Sequence, residues 1–521
     1  MKKYNTVSIL LIVISLLFTF SHESILAQDA KKPDRNMFGL YIPRGLTKTS
    51  DDLAPGYVMF QPTNSALVYL INRKGEVVHQ WKGNYGILSA YLNDDGSLTQ
   101  IAEDVDFPVF SAGGEAGRIQ KISWDSKMLW DFEYANEEHH AHHDIAVLPN
   151  GNVLAIAWEA KSADEVIAAG RKPELTPKAG LWTSKIVEIQ PVDKTHGKVV
   201  WEWHVWDHLI QDVDAKKKNY GDVAAHPELL DFNVGEALPK PISQDSLDVL
   251  HALKKVRRNK TIDNGGSDAY HLNAINYNEA LDQIAFSSPH LSEVFIIDHS
   301  TSVEEAAGHI GGRWGKGGDF LYRWGNPQNY RQGDSLDQQS FFQHDIRWIK
   351  KGYPGEGSLT FFNNDISGRK DSLNYSSVYQ IRPLTDQNGN YLLMDNKRFG
   401  PKEPEWKYIA KDTISFHGSF VSGAQRMHNG NTFINEGPKG RFFEVSPEGE
   451  IVWEFLNQYR GTIHEPNGDP IPAEDDVYYN FRSNFIPADH PALKDKILEP
   501  LDPQPEIFKM PPKEEKKEEK K

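Results

Sequence analysis

Three histidines stand at one repeated place in the chain. His143 lies eight residues before Gly151, His344 eight before Gly352, and His271 eight before Glu279 at the matching turn of its own segment. A lone histidine in a strand is most often a satisfied structural residue, whereas three in register call for a shared task. Neutral imidazoles can attack an electrophile, move a proton or bind a metal. The run HHAHH, His139 to His143, supplies further imidazoles and leaves the metal alternative open. In a fifth segment Arg426 takes the slot of Val147, four residues past the histidine slot. Even spacing along a strand keeps one face, so Arg426 is a candidate cation for the same site. Asp144 and Asp345 alternate to the opposite face and are expected to bond backbone or orient histidine rather than act as bases. With no cysteine in the chain, thiolate nucleophiles, thiolate metal sites and disulfides are excluded.

Histidines so far apart in sequence meet only if the elements carrying them repeat around an axis. A two-part phrase does recur. Its first part is strand, turn and strand ending in an aromatic residue, as in LVYLINRKGEVVHQW, IVEIQPVDKTHGKVVWEW and FFEVSPEGEIVWEF. Its second is an alternating strand, a turn and an apolar strand, as in HHDIAVLPNGNVLAIAW, HLNAINYNEALDQIAF and GAQRMHNGNTFIN. Two hairpins per copy in about six copies predict an all-β fold, a six-bladed β-propeller over residues 56–485. The innermost strand of each blade lines the central channel, so equivalent positions converge there. GYVMFQP and YYNFRSNF are the candidates for pairing the two ends of the ring. From Asp207 to Asp268 the alternation stops, and HPELLDF and DSLDVLHALKKVRRNK read as helical. This partly helical insertion, about 207–268, is expected over one end of the channel.

The ends obey other rules. Lys2 and Lys3 precede the apolar run SILLIVISLLF, and Ala27 offers a small residue at a cleavage point, so residues 1–28 read as a cleaved signal peptide. The run is shorter than the ~18 residues of a spanning helix, so membrane contact is expected only through this peptide. The mature chain is expected to start near Gln28 or Asp29 and to be exported, into the periplasm of a cell with two membranes. A lead-in covers 29–55, a C-terminal extension 486–509 and a charged, solvated tail 510–521. A net charge of −16 argues against nucleic-acid binding, which needs a basic face.

HHDIAVLPNGNVLAIAWE, KVVWEWHVWDHLIQD, AYHLNAINYN, SSPHLSEVFIID, QHDIRWI and GAQRMHNGNTFINEG, in that order, resemble the successive motifs of bacterial arylsulfotransferases, from about Gly56 to Tyr459. The resemblance implies an exported six-bladed propeller that moves a sulfuryl group from an aryl sulfate donor to a phenolic acceptor, without a nucleotide donor and without a cofactor. It implies ping-pong transfer through a sulfated histidine, carried by QHDIRWI and hence His344, with His143 and His271 as companions. His290 and Arg426 then offer charge to the sulfuryl oxygens, and Tyr270 a surface for the aryl ring. The sequence departs from the family where an SSR-type motif commonly supplies an arginine, because SSPHLSEV has Pro289 and His290 there. The disulfide of some members is also absent. Two other classes fit the histidines: an exported hydrolase or lyase with a possible metal, and a catalytically silent ligand-binding propeller.

Overall fold

Each phrase folds as a hairpin because β-branched and aromatic runs flank a residue that tolerates a left-handed backbone. Gly151 and Gly430, at φ +87° and +91°, hold such turns. The computed structural model describes residues 44–507 except 64, 105, 106, 108, 236, 254, 258, 367–373, 396 and 461–477. The stretches read as signal peptide (1–28) and charged tail (510–521), with most of the lead-in, lie outside the described residues.

Among the described residues six antiparallel blade sheets succeed one another, five of four strands and one of five. Blade two runs Gly86–Leu92, Leu98–Glu103, Gly117–Ile122 and Met128–Glu133. Blade three runs His139–Val147, Val153–Lys161, Leu181–Pro191 and Gly197–His204. Blade four has Ala274–Asn278, Gln283–Ser288, Glu293–Asp298 and Tyr322–Trp324. Blade five has His344–Trp348, Leu359–Asn363, Ser377–Ile381 and Trp406–Tyr408. Blade six begins with Gly423–Arg426 and ends with Ile451–Leu456, whose outer edge takes a fifth strand, Gly45–Lys48, from the segment read as lead-in. Blade one joins both ends of the chain. Ser483–Pro487 is its innermost strand and pairs with Gly56–Phe60, in register from Gly56 opposite Pro487 to Phe60 opposite Ser483. The innermost strands of successive blades touch all the way round, from blade one through blade six and back. The ring is closed.

Every blade-to-blade interface has its own apolar cluster. Val58, Phe60 and Ile71 of blade one meet Phe433, Phe442 and Phe455 of blade six, and Phe362 and Val378 of blade five meet Ile434 and Phe443. The recurring outer-strand tryptophans have a second task. The indole N–H of Trp130, Trp203, Trp324, Trp406 and Trp453 each donates to a backbone carbonyl of the next blade, at His196, Gly318, Pro401, Pro447 and Arg73, over 2.7–3.1 Å. Trp81 of blade one packs edge-on to Trp124 instead. The aromatic ending of the phrase is thus the joint between blades.

The insertion is less helical than its sequence suggests. HPELLDF forms no helix: Leu230–Asp231 pairs in parallel with Leu209–Ile210, and Leu230 and Phe232 are buried in the cluster between blades three and four. Apolar spacing that fits a helix is here satisfied by tertiary packing. The second segment is helical only over Gln244–Ala252, started by the Ser243 side chain and ended before the basic run. The insertion then reaches blade two, where Arg257 pairs with Glu103 at 2.9 Å and Asn259 donates to the Phe107 carbonyl.

Candidate active site at the propeller axis

His143, His271 and His344 belong to the inner edges of blades three, four and five. The rings of His143 and His271 meet edge to face with centroids 4.4 Å apart. His143 and His344 are buried, and the His271 side chain is 16% exposed. His143 and His271 adopt left-handed backbone, at φ +58° and +47°, rare for a residue with a side chain. At His143 the strand carries an irregular register against Val153–Lys161. Such a bulge re-aims a side chain, and strained backbone of this kind clusters at working sites.

Each ring is fixed by a different partner. His344 Nδ1 lies 2.8 Å from Asn364 Oδ1 and 2.9 Å from the Phe342 carbonyl. The Asn364 amide donates to the carbonyls of Gly418 and Val421, which fixes its oxygen towards the histidine. Both neighbours of Nδ1 are acceptors, so Nδ1 carries the hydrogen and the lone pair sits on Nε2. Burial and then the charge of Arg482 hold the His344 pKa down at about 3, against the hydrogen bond to Asn364, so the ring is neutral near pH 7. His143 is pushed well below the ordinary value by burial and by His271, His142, His344 and Arg482. Its Nδ1 shares a hydrogen with His142 Nδ1 at 2.7 Å, and His142 stacks on Trp158. His271 Nδ1 binds Asp268, the last residue of the insertion. Burial alone would raise Asp268, but the His271 pairing brings it down to about 2, so it is a carboxylate. His290 stacks on His271 with centroids 4.7 Å apart, and its Nδ1 lies 3.1 Å from the Asp268 carbonyl. Its side chain is exposed, yet crowding at this place and the neighbouring His271 lower its pKa, so near pH 7 it is a neutral ring rather than a cation.

A fully buried cation at the axis is Arg482, to which no repeat in the sequence points; Arg347 of blade five shares its partner Asp345 at 2.8 Å. Arg482 precedes the closing strand. Its guanidinium reaches Asp345 at 3.0 Å, Asp144 at 3.4 Å, and the carbonyls of Asn273 and Ser422 at 3.1 and 3.2 Å. Asp144 also accepts from Ser89 and Tyr91 of blade two. One network therefore ties all six blades, and Asp144 and Asp345 act as its anchors. Desolvation opposes the Arg482 charge, but the two aspartates more than offset it and hold its pKa up. An arginine beside the strand expected to close the ring was the available signal. Phe481 lies beside this cation, with the guanidinium 4.6 Å from its centroid, and 5.9 Å from the His143 ring.

Two expected residues are not brought to the histidines. Arg426 ends its strand at the turn, donates to the Gly430 carbonyl and to Gln380, and lies 4.5 Å over Trp406 of blade five. The even-spacing argument fails because Ser422, in the histidine slot of that blade, is left-handed at φ +85° and shifts the face of the residues after it. Gln425 faces the axis instead and bonds Phe485. Tyr270 is buried in the cluster between blades three and four, where burial pushes its hydroxyl up to about 12. The left-handed turn at His271 sends neighbouring side chains to opposite sides.

A closed six-bladed propeller with histidines and a buried arginine on its axis defines the class. The chain belongs to the arylsulfotransferase (ASST) family, whose profile matches residues 47–460. No curated protein matches it. Similar solved structures include a protein of unknown function from Bacteroides caccae, at 12% identity and TM-score 0.39, covering 78% of this chain and 94% of that one. A streptogramin B lyase is 9% identical at TM-score 0.35, covering 86% and 96%. A virginiamycin B lyase from Staphylococcus aureus is 8% identical at 0.33, covering 80% and 89%. Likeness this slight carries no argument about the chain.

Proposed function

We propose that this protein transfers a sulfuryl group from an aryl sulfate to a phenol through a sulfated His344. The observation that carries the reading is the His344 tautomer: Nδ1 is occupied by Asn364 and Phe342, which leaves the Nε2 lone pair as the nucleophile. In the first half-reaction Nε2 bonds to sulfur, the sulfur–oxygen bond of the ester breaks, and the leaving phenolate takes a proton. In the second, a phenol gives up its proton, its oxygen bonds to sulfur, and the nitrogen–sulfur bond breaks to return neutral His344. His271, tied through Nδ1 to the Asp268 carboxylate, is the residue placed to move that proton. His143 orients the sulfuryl oxygens, and Arg482 supplies fixed positive charge near them. Phe481 offers an aromatic face to the aryl ring.

Export completes the reading, since a donor and acceptor met outside the cytoplasm would explain a signal-like start. Initial rates with varied donor and acceptor test the order of events. Ping-pong transfer predicts parallel double-reciprocal lines; intersecting lines would mean that both substrates must bind before chemistry.

A further inference from the structure

We propose that His208, His309 and Asp319 form a site for a divalent transition metal, distinct from the axial histidines, that pins a loop of blade four to blade three. His208 closes the short turn Val205–His208 after the outer strand of blade three. His309 and Asp319 lie in the segment between Glu293–Asp298 and Tyr322–Trp324 of blade four. One donor atom from each lies within 4.8 Å of the others. Asp319 Oδ1 is 2.9 Å from His208 Nδ1 and 2.8 Å from His309 Nδ1.

The hydrogen bonds of His208 make the case. Its Nε2 faces the Ala306 carbonyl at 2.9 Å, which only accepts, so Nε2 carries a hydrogen. Nδ1 is thereby turned to the Asp319 carboxylate, the orientation of a ring that would ligate through Nδ1. A cation seated between Nδ1 and the carboxylate would suit this orientation, in a place where the His208 ring has 0% exposure. The second imidazole facing the same oxygen completes a set of two nitrogens and one carboxylate. An N–H given to a backbone carbonyl is the outer partner that fixes the tautomer of a metal-binding histidine. Four-coordinate zinc holds N and O donors at about 2.0–2.2 Å, hence about 3.3 Å from one another, so Asp319 needs to part from each histidine by only a few tenths of an ångström. The rings are seated for this: Trp203 stacks on His208 at 5.4 Å and 7°. At Gly318 a Cβ would stand 2.0 Å from the Ala306 oxygen and 2.6 Å from His208 Nε2, so glycine alone admits the approach. The His309 side chain is 60% exposed and leaves the remaining coordination position to water. Two imidazoles and a carboxylate suit zinc rather than calcium or magnesium.

The test uses full-length untagged protein, stripped with a chelator and titrated with Zn²⁺ and, separately, Co²⁺. The expected result is one tightly held equivalent, visible Co²⁺ absorption and a raised Tm with Zn²⁺. His309→Ala, at an exposed position that the fold does not need, should weaken binding at least about tenfold. No retained metal, or equal affinity in His309→Ala, would overturn the site. So would loss of the metal in His143→Asn, which would assign it to the axis.

Discussion

His344 differs from an ordinary histidine in being held neutral. With the usual pKa near 6.5, lowering the pH from 7.5 to 5.5 would cut the neutral fraction about tenfold. A pKa of about 3, set by burial and by Arg482, keeps the lone pair available over that whole range. The first half-reaction, read as the burst of phenol released from an aryl sulfate, should therefore change by less than about twofold between those values. A tenfold fall in burst rate would place a titrating group at the attacking atom or at the residue that moves the proton. Arg482 enters this account twice, as the charge that keeps protons off His143 and His344 and as the tie between blades. It is not legible in the sequence because it belongs to no repeat: its strand pairs with one at the other end of the chain, so no equivalent position points to it. The three histidines are legible because equal offsets from a turn survive without any knowledge of the bulges that aim them.

Those bulges, and the loop that leans on them, set the geometry one scale up. The segment ending at Ala116 runs against His143 and His271, and the His143 N–H donates to the Gly114 carbonyl at 2.8 Å. Gly114 has φ +80°, and a Cβ there would lie 2.3 Å from ring atoms of His143. Gly114→Ala should push this ring off its place. A displacement near 1 Å can cost about a hundredfold in rate, while the backbone change costs about 1 kcal/mol or more. Circular dichroism should stay native as kcat falls; unchanged kcat would mean that the loop does not position His143. Left-handed residues also explain why Arg426 and Tyr270 lie away from the histidines. Alternation along a strand places side chains only while the strand stays regular, and Ser422 and His271 break it just before Arg426 and just after Tyr270. No spacing in the sequence announces such a residue when it is not glycine.

At the scale of the molecule, the repeat was the legible feature and its ends were half legible. Hairpins and terminal tryptophans repeat because every blade must bury both faces and five of the six donate an indole N–H to the next, and a requirement met many times leaves a pattern. GYVMFQP and YYNFRSNF could be matched as closing strands because each lacked a partner in its own phrase. Gly45–Lys48, a fifth strand on blade six, carries only the four residues GLTK and shows no alternation. Removing residues 483–521 would strip blade one of its inner strand and bare the edge of Gly56–Phe60, an open template for aggregation. That truncation should yield aggregates or a markedly lower Tm, whereas a monomer melting like the full chain would show that closure contributes little. The central claim, a ring that brings His344 to an aryl sulfate as a covalent nucleophile, is tested most directly by trapping. Full-length protein is exposed to ³⁵S-labelled aryl sulfate without acceptor, digested, and its peptides mapped. The account predicts one label per chain, on His344, released by added phenol and absent from folded His344→Asn. Label on another residue, or turnover in His344→Asn at the rate of the native protein, would contradict it.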